Sequence, residues 1–432
     1  MGKKGWILGA VILVGGSYLV GQAVSSHIFE REFDQAIDSL NTRSDLRIER
    51  RDVEPGWFSS SGMLRITPLA RNDWRATFPY RANHSVFFTS IEGEFELDFK
   101  EPQDQEEGGQ TIRLTELLGA DPIAWQADYH TLTGKTKGKL LLEEFSNQTS
   151  AGFIEGKGAT ITLNGNQDDM MLEGAIAPWS FSDKATILEL AEITFASNYR
   201  QENEGKETFT QGHLALEGAQ LQQPGGPEVE IDELRYEGTA ELGAENLELS
   251  SRLYLSEMRV DGQLALAGDI DFSLTHIDAA AYRDFESALR QELDLYGRRH
   301  SQASTDEAFL SDRDMKAILE RLEPQLLAML ANSPRLTLEK LNVTSPLLDI
   351  RSQLSGELRF TAENSQALSP AELPSLEELR RWQRHLNGQF LWQGVPALMA
   401  LQLGLSLDNE TIEITIDDGR VSLDGQPLPP LL

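Results

Sequence analysis

The side chains best suited to catalysis or metal binding are scattered through this sequence. Its seven histidines, His27, His84, His130, His213, His276, His300 and His385, stand singly, and none is spaced from another as in the His-Glu-x-x-His zinc pattern. There is no cysteine, which removes thiolate zinc sites, thiol nucleophiles, disulfides and lipidation near residue 20 together. No serine lies in Gly-x-Ser-x-Gly, and no Ser-x-x-Lys comes with the rest of a penicillin-binding signature. The glycines bracket strand-like segments and never open a helix ahead of Lys-Ser/Thr, so a phosphate-cradling loop is excluded. His84, in Arg81-Ala82-Asn83-His84-Ser85, is the one histidine placed like a base, at a strand rim, and an ordinary hydrogen-bonded role is expected of it. With 69 acidic residues some carboxylate pair is inevitable, so a glycan or peptide hydrolase working through two facing acids stands only as a minor reading. Asn164-Gly165-Asn166-Gln167-Asp168-Asp169 has a calcium-loop composition without the terminal glutamate of that pattern and reads as a hairpin turn. Asp417-Asp418-Gly419 also reads as a turn, with the glycine supplying positive φ. No cofactor or metal is expected.

Aromatic residues offer the other route to function. Trp57, Phe58, Trp74, Phe78, Tyr80, Phe87 and Phe88 crowd between residues 57 and 88 of a chain that is 8 % aromatic, and Trp392 opens a second apolar stretch running to Leu401. Such clusters form either the core of a small sheet or an apolar cavity or docking surface. For Leu391-Trp392 together with Val395–Leu401 the two readings are a core strand pair and one wall of an apolar groove.

The elements that must position these residues follow from periodicity. Phe29, Phe33, Ile37 and Leu40 recur at helical spacing, predicting an amphipathic helix over residues 26–43 that covers one end of the first sheet or makes a helix–helix dimer contact. From Leu46 the period becomes two, as in Leu46–Arg50, Gly62–Thr67 and Gly93–Phe99. Glycine-bracketed strands recur at Gly212–Gly218, Gly262–Gly268, Gly356–Phe360 and Gly419–Leu423, and suggest repeated antiparallel hairpins. Helical patterns interrupt them at residues 278–298, at residues 312–331 with a kink expected at Pro324, and at residues 375–386. The fold expected is mainly β, with long antiparallel hairpin-rich sheets and a few amphipathic helices after one transmembrane helix. Three parts are expected: a cytoplasmic tip and anchor (1–25), a β-rich domain (26–220) and an α+β domain (229–432), with the turn Gln222–Pro227 at the boundary.

Residues 5–24 run without a charge, which as a helix would span roughly 30 Å, the thickness of one hydrocarbon core. Lys3 and Lys4 precede this segment and Glu30, Glu32 and Asp34 follow it, so the basic end should stay cytoplasmic and the rest of the chain should lie in the periplasm. A cleaved signal peptide is the competing reading; its apolar core would be unusually long. Gly5-x-x-x-Gly9 and the helix over 26–43 both allow a homodimer. The formal charge of -31 repels phosphate backbones and excludes nucleic acid as a partner.

Several islands resemble the YdgA-like family of functionally uncharacterised bacterial envelope proteins. They are the anchor at 3–24, Glu54-Pro55-Gly56-Trp57-Phe58-Ser59-Ser60-Ser61, Ala82-Asn83-His84, the passage from Leu322 to Leu338, and the ending Gly419–Leu428. His84-Ser85-Val86 stands where members usually carry His-Gly-Pro. The resemblance implies a location and an architecture and supplies no catalytic residues. The expectation is therefore a single-pass inner-membrane protein, not an enzyme, that scaffolds another envelope component. The alternative is lipid or apolar-ligand binding and transfer through a curved β-sheet groove.

Overall fold

Period-two patterning becomes a mainly β, antiparallel fold with few helices in the computed structural model of the protein, which describes residues 25–41, 46–69, 74–100, 111–150, 152–166, 168–203, 206–300, 312–373, 375–403 and 411–428. The expected anchor at 5–24 lies outside the described residues. No helix among the described residues is long and apolar enough to cross a membrane. Two compact units are present, one within Met1–Gln148, Lys157–Gly174 and Leu293–Phe309, the other within Thr149–Gly156, Ala175–Glu292 and Leu310–Leu432. The boundary expected at 220–228 thus falls inside the second unit, where the turn joins Ala219–Gln222 to its antiparallel partner Val229–Ile231.

The first unit starts with helix α1 (residues 25–41). Strands β1 (Leu46–Glu54), β2 (Ser59–Pro68), β3 (Trp74–His84) and β4 (Phe88–Lys100) follow as a meander. Short β5 (Thr111–Arg113) pairs with the end of β4 and leads into helix α2 (Leu114–Leu118). Strand β6 (Ile123–His130) pairs with β4, β7 (Lys135–Leu142) with β6, and Ala159–Gly165 with β7. Directly opposed residues share a face, so the register gathers Leu64, Phe78, Tyr80, Ala82, Ile91, Ala127 and Tyr129 on one side of the sheet. Phe29 and Phe33 of α1 pack there, against Tyr80, Ala82, Ile91 and Tyr129. The helix covers the first sheet, as its apolar stripe requires, while Leu40 at its end stays exposed. Gly93 is needed beside Tyr80, because a Cβ there would lie 2.0 Å from the Pro79 carbonyl oxygen.

In the second unit ten strands pair in series: Ile193–Glu202, Glu207–Leu216, Leu234–Leu242, Asn246–Val260, Gln263–Asp278, Arg335–Ser345, Ile350–Phe360, Leu386–Gln393, Thr411–Asp417 and Arg420–Leu423. Helices α3 (Ala279–His300) and α4 (Asp312–Met329) form an excursion between two neighbouring strands, and α4 runs through Pro324 as one element. Their cover is local. Tyr282 and Met329 pack with Leu242, Leu247, Ile277 and Ala279 where the strands meet the helices. Helix α5 (Leu376–Gln383) starts at Ser375, whose hydroxyl accepts from the Glu378 N–H. The stretch Val395–Leu401 forms no strand pair. It contains helix α6 (Ala397–Gln402), with Met399 and Leu401 exposed.

Only some of the glycine brackets are turns. Asp261-Gly262 and Asp418-Gly419 both have positive φ at each position, the two-residue hairpin geometry. Gly212, Gly268 and Gly356 instead lie within strands. At Gly268 a Cβ would sit 2.3 Å from the Asn342 carbonyl oxygen, so close approach of the neighbouring strand selects glycine there.

Candidate functional site

The aromatic set separates by depth. Tyr80 is core; Phe78 packs on Phe95 at 4.8 Å and on Trp125 at 6.0 Å; Trp74, at the far end of β3, is half-buried and opposed to Phe99. Trp57, Phe58, Phe87 and Phe88 are exposed, and the structure adds Leu132, which no aromatic pattern could flag; the five are 51–72 % exposed. They occupy three turns at one end of the first sheet. The His84 N–H donates to the Phe58 carbonyl at 2.8 Å, and the Thr131 N–H to the Phe87 carbonyl at 2.9 Å, so the turns stand side by side. The first described turn of α1 lies among them: Ser25 Oγ is 2.8 Å from Thr131 Oγ1, and Ser26 Oγ donates to the Gly56 carbonyl at 2.9 Å.

Polar side chains inside this end hold it together. His84 is buried between Ser60 Oγ, 3.1 Å from Nε2, and Thr89 Oγ1, 3.0 Å from Nδ1, with the Phe29 ring 5.4 Å away. Both ring nitrogens therefore serve hydroxyls that tie β2, β3 and β4, which is a structural use of the residue that sequence placed like a base. Burial pushes the His84 pKa below that of an ordinary histidine, against a weaker opposing pull from Glu30. The unfolded chain then takes up this proton first, so the contribution of His84 to stability is complete above about pH 6.5 and is lost as pH falls through the folded value. The expected result is a denaturation midpoint that drops between pH 7 and pH 5 in the natural protein and drops less in His84→Gln; parallel curves would show that His84 does not titrate on unfolding.

Arg50 projects from β1 on the apolar side, opposite Leu64. Its Nε–H donates to the Tyr80 hydroxyl at 2.6 Å, its guanidinium pairs with Glu30 at 2.5 Å and Asp34 at 3.0 Å, and it lies 5.0 Å over the Phe33 ring. Burial would lower its pKa, but the hydrogen bonds with Glu30 and Tyr80 outweigh that and raise it. The charge is permanent and clamps α1 to the sheet.

The second unit carries a different surface. Register places Phe195, Leu214, Tyr236, Leu253, Ile270, Leu341, Leu354, Trp392 and Ile412 in one transverse row, each directly opposite the next. At about 4.8 Å between strands the eight steps run about 38 Å. Only Ile412 is buried, and Leu214, Tyr236 and Leu253 are 40–44 % exposed. In its first half the row is bordered by small residues, Ser197, Gly212, Gly238 and Ser251, themselves in mutual register. Trp392 belongs to this row, where its Nε1–H donates to Ser352 Oγ at 2.6 Å. It is in the other unit from the seven aromatics of the first sheet.

Buried Glu378 accepts from the Ser369 N–H at 2.6 Å and lies 3.3 Å from the Arg381 guanidinium. The segment Asn164–Asp169 forms a turn in which Asn166 Oδ1 accepts from the N–H groups of Asp168 and Asp169, both at 2.9 Å. Among the described residues no three His, Asp or Glu side chains converge as metal ligands would. A family model described as "Bacterial protein of unknown function (DUF945)" matches residues 1–390. No curated protein matches the chain.

Proposed function

The chain belongs to the DUF945 family, and from its own surfaces we propose that it is a non-enzymatic periplasmic protein, anchored in the inner membrane by residues 5–24, that binds a lipid or another long apolar ligand along the row of its second unit. The finer likeness to the YdgA-like proteins is part of the same proposal and rests on the residue islands described above. The supporting observation is the register: nine apolar residues on nine consecutive strands, of which only Ile412 is buried. An ordinary half-buried sheet would carry a second layer over such a face. One acyl chain spans about 15 Å, half of a ~30 Å hydrocarbon core, so the row is longer than a single chain needs. Its narrow border of glycine and serine suits a flexible chain lying along the strip better than the bulky anchors of a protein partner.

Native mass spectrometry of the full-length protein, released gently from its membrane, tests this. Phospholipid retained at fixed stoichiometry and displaced by an apolar dye is the expected result. Bare protein, or protein carrying a reproducible polypeptide, would instead favour the scaffolding of another envelope component.

A further inference from the structure

We propose that the three turns bearing Trp57, Phe58, Phe87, Phe88 and Leu132 insert into the interfacial layer of the same bilayer that holds residues 5–24, so that the first unit sits on the membrane through its loop tips as well as through its anchor. The inference rests on the anchored reading above and adds a second, independent attachment.

Three observations on the first unit carry it. The first is position: the described chain starts at Ser25, whose hydroxyl meets Thr131 in one of these turns, while Ser26 bonds the backbone of Gly56 in another. An apolar segment ending at residue 24 therefore leaves the protein among the tips. The second is composition: the tips carry three phenylalanines, a tryptophan and a leucine, all at least half exposed. Aromatic rings and leucine gain most by leaving water at the depth of the headgroup and upper acyl boundary. The third is charge: Pro55–Ser60, His84–Ile91 and His130–Gly134 contain no aspartate or glutamate, although the chain has 69. Lys135 is the first charged residue after the third turn. Tips without carboxylates of their own, with Glu54 and Glu92 just outside these segments, meet less repulsion from anionic lipid than the rest of this chain, at -31, would. The apolar face of the sheet itself is already covered by α1, so these side chains have no core role to satisfy.

The absence of cysteine makes the test direct. Single cysteines replacing Phe87, Leu132, Asp121 or Val14 in the full-length protein would be labelled with an environment-sensitive fluorophore and reconstituted into vesicles of phosphatidylethanolamine and phosphatidylglycerol, with and without brominated acyl chains. Labels at Phe87 and Leu132 are expected to shift to the blue and to be quenched by brominated lipid, while the label at Asp121, beyond the other end of β6, stays unquenched. Quenching at Val14 alone would overturn the insertion of the tips and leave the anchor standing. No quenching at Val14 would remove the anchor and the inference together. Tips shielded from aqueous iodide yet untouched by brominated lipid would mean that protein covers them, and would also overturn it.

Discussion

Arg50→Ala is expected to lower the stability of the first unit by about 2–4 kcal/mol, the largest effect of any single polar side chain in it. The Arg50 side chain is 9 % exposed, and its guanidinium holds Glu30, Asp34 and the Tyr80 hydroxyl together. Removing it leaves Glu30, whose side chain is only 18 % exposed, without its counter-charge, and uncovers the adjoining Phe33 and Tyr80 rings over which the guanidinium lies. The upper end of the range for a buried pair is discounted because Asp34 is mostly solvated. Asp34→Asn should cost less than about 1 kcal/mol for the same reason. Denaturant unfolding of both variants, with hydrogen exchange along α1, would check this; equal small losses would show that packing of Phe29 and Phe33 holds the helix without the ion cluster.

The double variant Leu214→Asp with Leu253→Asp is expected to abolish ligand retention while leaving the fold intact. Both positions are about two-fifths exposed, so the new carboxylates stay hydrated in the empty protein. They flank Tyr236 in the row, and a chain lying there would have to strip water from two ionised groups. A penalty of at least ~2.8 kcal/mol, a hundredfold in affinity, follows. The measurement is bound phospholipid per protein by native mass spectrometry, alongside circular dichroism and the thermal midpoint. Unchanged lipid content in a folded variant would move the ligand off the row, and loss of lipid together with loss of structure would be resolved by Leu214→Gln with Leu253→Gln, which removes the charge and most of the strain.

Much of this architecture was legible as periodicity. The spacing of Phe29, Phe33 and Ile37 is enough to demand a cover for α1, because a one-sided apolar stripe must be buried; that the cover is the first sheet and not a second helix came from the structure. Ser375 with Glu378 marks the start of α5, and Asp418-Gly419 marks a hairpin, since each is a local signal set by a few neighbouring residues. In the apolar stretch Leu391–Leu401 the strand reading holds for Leu391-Trp392 and gives way to a helix from Ala397, because a short apolar run has no period long enough to separate strand from helix. The glycines of the recurring segments misled in another way: a turn and a close strand crossing both select the residue without a Cβ.

The candidate surfaces were only half visible. Trp57, Phe58, Phe87 and Phe88 stand out by composition, yet composition cannot tell them from Tyr80, which alternation and register bury. Leu132, a lone leucine in a turn, had no local signal, and in the row from Phe195 to Ile412 only Trp392 stood out, because each of the other strands supplies an ordinary apolar residue to it.

By itself, then, the amino-acid sequence determined the β-rich class, the positions of α1, α3, α4 and α5, the acidic composition, the lack of thiol chemistry and the uncharged segment at 5–24. These depend on side-chain type and near-neighbour spacing, which the chain states directly. Which residues line up across nine strands, which turns share one end of the first sheet, and that Ser25 and Ser26 of α1 lie between them were decided only by tertiary structure. Strand register and turn adjacency depend on pairings between residues far apart in the chain, and a shift of one residue would turn every such side chain to the opposite face.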